Sequence, residues 1–249
     1  MVAMLRLLVL AVFVICTQVI AAEPAPLKIH LISGSKEYKS EESLKKLQKH
    51  LEGSYKVVIA ASWGADQGGE LPNGDKIKDA DVLVVFTRRM KLPEAQLALV
   101  RAHWEAGKPV VGIRTASHAW SDEENANFDR KVLGGDHNSH LKDEPVSVVP
   151  TQDSTEHPIL KGVGPLKSRK LYKVGPQPTS VTILQTGTAT TAEGAKVTQP
   201  VTWINTYKGG RIFYTSLGVP EDFDQPSYLA LLTNAVFWTA ERDPSAWRK

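Results

Sequence analysis

Short apolar runs and longer mixed segments alternate through the first half of the chain. Leu27-Lys28-Ile29-His30-Leu31-Ile32 and Val57-Val58-Ile59-Ala60 read as strands. Asp81-Val82-Leu83-Val84-Val85-Phe86 and Pro109-Val110-Val111-Gly112-Ile113-Arg114 are more uniformly apolar, as expected of strands buried on both faces of a parallel sheet. Between them, Leu44, Leu47 and Leu51 mark one helical stripe. Ser40 is placed to cap that helix, with Glu41 and Glu42 in its first turn. A second helix starts near Pro93 and runs through Leu97, Val100 and Trp104 to Gly107. Strands alternating with helices predict right-handed βαβ units. Residues 62–76, rich in Gly and Asp, read as a surface loop.

The second half changes character. Short strands are expected at 146–149, 171–174, 181–184, 200–204 and 211–215, with Lys208-Gly209-Gly210 turning a hairpin. A closing helix covers 227–241, and the residues from 242 to 249 read as a loose tail. No Pro/Ser-rich linker separates the halves. The pattern predicts one α/β domain over residues 23–241, a parallel sheet extended by an antiparallel part.

The amino terminus adds an address. Arg6, an apolar block from Leu7 to Ile15 and small residues ending at Ala21-Ala22 describe a secretory signal peptide over residues 1–22. The expectation is export to the periplasm or the exterior, with no membrane association after cleavage. A retained anchor helix is the alternative. The chain's one cysteine, Cys16, lies in that leader, so the mature chain has no disulfide and no thiolate nucleophile. The net charge of +3 and the lack of a long basic run argue against a nucleic-acid face.

Ligands of open parallel sheets bind beyond the carboxyl ends of the strands. Ser33-Gly34-Ser35, Thr87-Arg88-Arg89, Arg114 to His118 and Ser216-Leu217-Gly218 should meet there. Asp136, His137 and His140 follow Gly134-Gly135 and fit a helical turn or tight loop over the same edge. His118 and His137 are the candidate acid/base groups, with Asp136 as partner. His118, His137 and His140 also form a candidate set for a divalent metal such as zinc. Their metal-free alternative is hydrogen bonding to sugar hydroxyls. Arg114, which ends a buried strand, is the leading substrate anchor, with Ser33, Arg89 and Ser216 beside it. Trp120 is placed either to stack on a sugar ring or to pack in the core. Ser117 at the strand-to-helix turn lacks the flanking glycines of a nucleophile elbow.

Several of these segments resemble the ThuA-like (trehalose utilisation) family. They are Lys108 to Arg114 with His118, Phe128 to Gly135 with His137 and His140, and His157-Pro158-Ile159. Pro200 to Trp203, Gly210 to Gly218 and Asn234 to Trp238 complete the resemblance, which spans about Leu27 to Ala240. It implies a flavodoxin-like sheet, related to class I glutamine amidotransferases, with helices on both faces. It implies a role in carbohydrate metabolism, a sugar or oxidised sugar such as a keto-glycoside as ligand, and a sugar oxidoreductase as pathway partner. Hydrolase, lyase and isomerase chemistry are all compatible. The amidotransferase cysteine is not at the elbow. Relatives usually carry a histidine directly after Ser-Leu-Gly, where this chain has Val219, followed by Glu221 and Asp222 as possible replacements. A non-catalytic carbohydrate-binding or scaffold protein on the same fold, or a partner subunit for an oxidoreductase, is the alternative.

Overall fold

The computed structural model describes residues 25–64 and 68–249. Residues 1–22, read above as a signal peptide, lie outside the described residues. Strands β1 (Leu27–Gly34), β2 (Val57–Trp63), β3 (Val82–Thr87), β4 (Val110–Ile113) and β11 (Gly210–Thr215) form the parallel part of one sheet. Its order is β2-β1-β3-β4-β11-β10-β9-β6-β7. Strands β10 (Lys196–Tyr207), β9 (Thr182–Thr190), β6 (Pro145–Pro150) and β7 (Leu166–Arg169) continue it antiparallel. A separate ribbon pairs β5 (His137–His140) with β8 (Tyr172–Val174).

Alternation along the strands sorts the core into two layers. Val82, Val84 and Phe86 of β3 join one cluster with Leu44, Leu47, Leu51, Leu231 and Ala235. That layer is covered by α1 (Ser40–Ser54) and α4 (Pro226–Thr239). Leu83 and Val85 point the other way, to Val100, Trp104 and Trp120. That face is covered by α2 (Glu94–Glu105), α3 (Asp122–Asn127) and the π turn Phe128–Leu133. Helices therefore lie on both faces, as the family resemblance implied.

Four local readings need correction. Ser40 does not cap α1; Lys39 takes the N-cap position with φ 46°. The Ser40 hydroxyl instead accepts the N–H groups of Gly34 (3.2 Å) and Ser35 (2.8 Å), pinning the end of β1 to the helix start. The loop expected over 62–76 gives up Ser62 and Trp63 to β2 and Gly74–Asp79 to a 3-10 turn. Strand β7 was not expected, and β9 and β10 run well beyond their expected lengths. The carboxyl-terminal residues are not a loose tail. Lys249 and Lys56 donate backbone bonds to Ser54 and Trp247, and the Trp247 indole N–H reaches the Ala25 carbonyl at 3.1 Å.

Candidate functional site

The chain leaves β1 and β3 by connections that run to opposite sides of β1, and the carboxyl ends of such strands are where open parallel sheets bind ligands. Three hydrogen bonds tie the loops there together. Arg88 donates its N–H to the Gly34 carbonyl (3.0 Å) and Arg89 donates to the His118 carbonyl (2.7 Å). The Arg114 guanidinium donates to the Ser216 carbonyl (2.7 Å). The four loops named from the sequence thus share one sheet edge.

At its centre the His118 and His137 rings stack, with centroids 4.8 Å apart and planes 22° from parallel. Each arrives by a different route. His118 ends the 3-10 turn Arg114–His118 that follows β4. His137 opens β5, and its N–H is held by the buried Asp129 carboxylate at 3.0 Å. Gly135 makes that bond possible: a Cβ there would lie 2.4 Å from Asp129 Oδ1. Tyr172 of β8 backs the pair, its ring 4.4 Å from His137 and 6.2 Å from His118.

Burial, the neighbouring His137 and the Arg88 and Arg89 charges push the His118 pKa down to about 3. Burial, His140, Arg114 and Arg89 push His137 to about 4. Both imidazoles are therefore neutral at neutral pH. His118 Nδ1 lies 3.1 Å from Ser117 Oγ, while His137 Nδ1 is buried without a hydrogen-bond partner. Asp129 moves the opposite way: burial lifts its pKa to about 7, opposed by the bond from the His137 N–H. Its Oδ1 is also buried and unpaired.

Cations surround the pair. Glu37 accepts from Lys170 at 2.8 Å and meets Arg88 Nε at 3.4 Å. Burial tends to raise the Glu37 pKa, but bonds from Lys170 and Tyr38 and the charges of Lys170 and Arg88 hold it below the usual range. Arg89 is exposed beside them.

Arg114 does not stand ready for a ligand. Its side chain is 1% exposed and enclosed by Tyr38 and Tyr172. It donates to the Ser216 and Lys170 carbonyls, and its backbone takes φ 46°. It is a clamp beneath the site rather than an anchor within it. Ser33 is likewise buried, bonded to the Ser40 hydroxyl at 2.7 Å. Ser216 is buried and contributes its carbonyl to Arg114. Trp120 packs between Trp104 and Phe128 in the core, which removes it from any exposed stacking surface. Ser117, 3% exposed, is closed off as a nucleophile.

The histidines of Asp136-His137-Asn138-Ser139-His140 sit on a strand, not a helical turn or loop. His140 is exposed and donates Nδ1–H to the Leu141 carbonyl at 2.7 Å. Asp136 pairs with Arg130 at 3.2 Å. The residues do not fit the expected metal set: no group of three or more His, Cys, Asp or Glu among the described residues is placed to hold an ion. His118 and His137 stack face to face instead of converging their nitrogens. Val219 is buried in the apolar core. Asp222 accepts the Gly218 and Val219 N–H groups and the Ser168 hydroxyl, so it shapes the loop after β11. The sequence reading missed Tyr38, Tyr172, Glu37 and Lys170, which come from separate segments and carry no local motif. Asp129 stood in a recognised segment but without a role.

A profile of the ThuA family, described as trehalose utilisation, matches residues 29–239. Among solved structures, a ThuA-like protein from Bacteroides uniformis ATCC 8492 is similar at 20% identity, covering 89% of this chain and 94% of that one, with a TM-score of 0.65. A ThuA-like protein from Parabacteroides merdae ATCC 43184 is similar at 18% identity, over 86% and 90% of the two chains, with a TM-score of 0.63. A cytoplasmic protein from Salmonella typhimurium is similar at 14% identity, over 90% and 100%, with a TM-score of 0.60. At these identities the likeness is one of fold. No curated protein is significantly similar to the chain.

Proposed function

We propose, for a chain that belongs to the ThuA (trehalose utilisation) family, that it acts on a carbohydrate or oxidised sugar derivative at the His118–His137 pair. The carrying observation is the pair itself: two neutral imidazoles, stacked at the sheet edge and flanked by the Arg88 and Arg89 charges. A neutral imidazole can take a proton and return it elsewhere once an anionic intermediate bound beside it offsets the burial and the arginine charges that hold its pKa low. Flanking cationic charge favours reactions whose intermediate carries negative charge on oxygen.

That preference separates the three chemistries. Glycoside hydrolysis through a cationic sugar ordinarily uses two carboxyl groups about the bond. Here the exposed carboxylate, Glu37, is engaged by two cations, and Asp129 is buried beneath His137. Proton abstraction next to a sugar ketone suits the site better. One imidazole would remove the α-proton, the C–H pair would become a carbon–carbon double bond, and the carbonyl π pair would move onto oxygen. The arginine charges would stabilise that enolate. Return of the proton to the opposite face of that carbon gives isomerisation by inversion there; departure of a neighbouring oxygen substituent, protonated as it leaves, gives elimination. An oxidoreductase that makes the ketone would supply the substrate. Export of the mature chain belongs to the same reading and is checked by amino-terminal sequencing of the protein purified from its source.

The experiment is turnover of a keto-glycoside by the purified protein and by the His118→Ala and His137→Ala variants. The expected result is a loss of at least a hundredfold in each, with thermal unfolding cooperative in both. Unchanged turnover would reject the assignment. One observation favours a second reading. The position after Ser-Leu-Gly is apolar core in this chain, so carbohydrate binding without chemistry would show as saturable binding of the keto-glycoside with no product.

A further inference from the structure

A second recess lies at the opposite pole of the sheet, and the reading above does not depend on it. It encloses about 860 Å³ beside the start of β11, the end of α4 and the carboxyl-terminal residues. Arg211 stands at the amino end of β11, whereas the histidine site lies beyond the carboxyl end of the same strand. Lys161, Arg211, Arg242 and Arg248 line the recess, against Glu156 and Asp243.

The four cations are differently employed. Arg211 is occupied: it meets Glu241 at 3.3 Å, donates to the Trp238 carbonyl at 3.1 Å and covers the Trp238 ring. Arg242 and Arg248 have no carboxylate partner among the described residues. Their guanidinium groups rest over the rings of Trp247 (5.5 Å) and Tyr55 (5.8 Å). Stacking on a ring engages the face of a guanidinium and leaves its in-plane N–H donors for an acceptor. Lys161 has no carboxylate within ion-pair distance among the described residues, though Asp243 is close enough for the two charges to interact. On the acidic side, Asp243 Oδ1 is engaged by the Ser245 N–H.

Two ring-supported guanidiniums and an ammonium around one recess form a receptor for several anionic oxygens, because guanidinium donors match carboxylate and phosphate geometry in pairs. The volume lies within the usual range for a small-molecule site. We infer that this recess binds a small, multiply charged oxyanion ligand, either a polycarboxylate or an oligophosphate.

Isothermal titration with citrate and with pyrophosphate, at low ionic strength, tests the inference and distinguishes the two sources. The expected result is saturable binding of at least one probe. The Arg242→Gln/Arg248→Gln double variant should weaken it at least tenfold, and Lys161→Gln, on another part of the wall, several-fold. The His137→Ala variant should bind the probe as the unaltered protein does, which separates this site from the histidine pair. The Lys161→Gln result stands on its own if the double variant unfolds. No saturable binding of either probe, equal binding by the folded double variant and by Lys161→Gln, or a loss of binding in His137→Ala would overturn the inference.

Discussion

The Arg114 guanidinium carbon lies 4.2 Å from the ring centre of Tyr38 and 4.6 Å from that of Tyr172. Tyr172 in turn packs against His137. A buried charge thus fixes the aromatic wall that supports the histidine pair. Its donors also tie Ser216, after β11, and Lys170, before β8, to the end of β4. Burial of a charge is tolerated here because carbonyl oxygens and ring faces replace water.

Removal of the clamp should destabilise the protein and distort the site together. Arg114→Ala leaves the Ser216 and Lys170 carbonyls without this donor and opens a void between two rings, at a cost of about 3 kcal/mol. The same position has φ 46°, which costs a residue with a Cβ about 1 kcal/mol. Arg114→Gly should therefore be the more stable of the two variants by about that amount. Urea unfolding measures the difference; Arg114→Ala as stable as Arg114→Gly would show that the backbone is not strained there.

Asp129 gives stability a fall with rising pH. Its folded pKa of about 7 lies above the ordinary value of 3.8, so the fold holds the proton more tightly than the unfolded chain does. That contribution is complete below the unfolded pKa and is lost as pH climbs through the folded one. Asp129→Asn keeps an oxygen for the His137 N–H and removes the titration. The variant should gain on the unaltered protein as pH rises across this window, measured by denaturant unfolding at a series of pH values. A constant difference would contradict the burial argument.

His118 acts in the opposite sense. Its folded pKa of about 3 lies below 6.5, so the fold prefers the neutral ring. The stability from that preference is present above the unfolded value and disappears as pH falls toward the folded one. His118→Asn should lose less stability than the unaltered protein between those two values. An equal acid slope in the two proteins would place the imidazole in a solvated setting.

Ser40 holds the loop after β1. Ser40→Ala should leave the Gly34 and Ser35 N–H groups unpaired and lower stability by about 2 kcal/mol. An ordinary helix-cap loss would spare those amides, so hydrogen exchange at Gly34 and Ser35 distinguishes the two. Faster exchange at both is expected; exchange confined to the first turn of α1 would restore the capping role.

Much of the fold was legible because strands buried on both faces are apolar throughout, as Val82 to Phe86 and Val110 to Ile113 show. The Lys208-Gly209-Gly210 turn was equally plain, since the hairpin it joins pairs Tyr207 with Gly210. Strand β5 was hidden because His-Asn-Ser-His has no β-forming residue; its extended shape comes from pairing with β8. Strand β7 alternates over Leu166-Lys167-Ser168-Arg169 alone, too short a pattern to register. The convergence of the four loops follows from strand polarity, but not which side chains stay accessible at that edge. Arg114 reads as an anchor because it ends a buried strand, and the two rings that bury it lie far away in sequence. The sequence around Trp120 fits either role, because Trp104 and Phe128, which pack against it, are not marked as its neighbours by any local pattern.

The most direct test of the sugar-site account follows histidine resonances while a keto-glycoside is added to nitrogen-15-labelled protein at neutral pH. His118 and His137 should shift together and saturably, while His30 and His103, buried in the protein interior, stay fixed. Saturable binding that leaves both site histidines unmoved would contradict it.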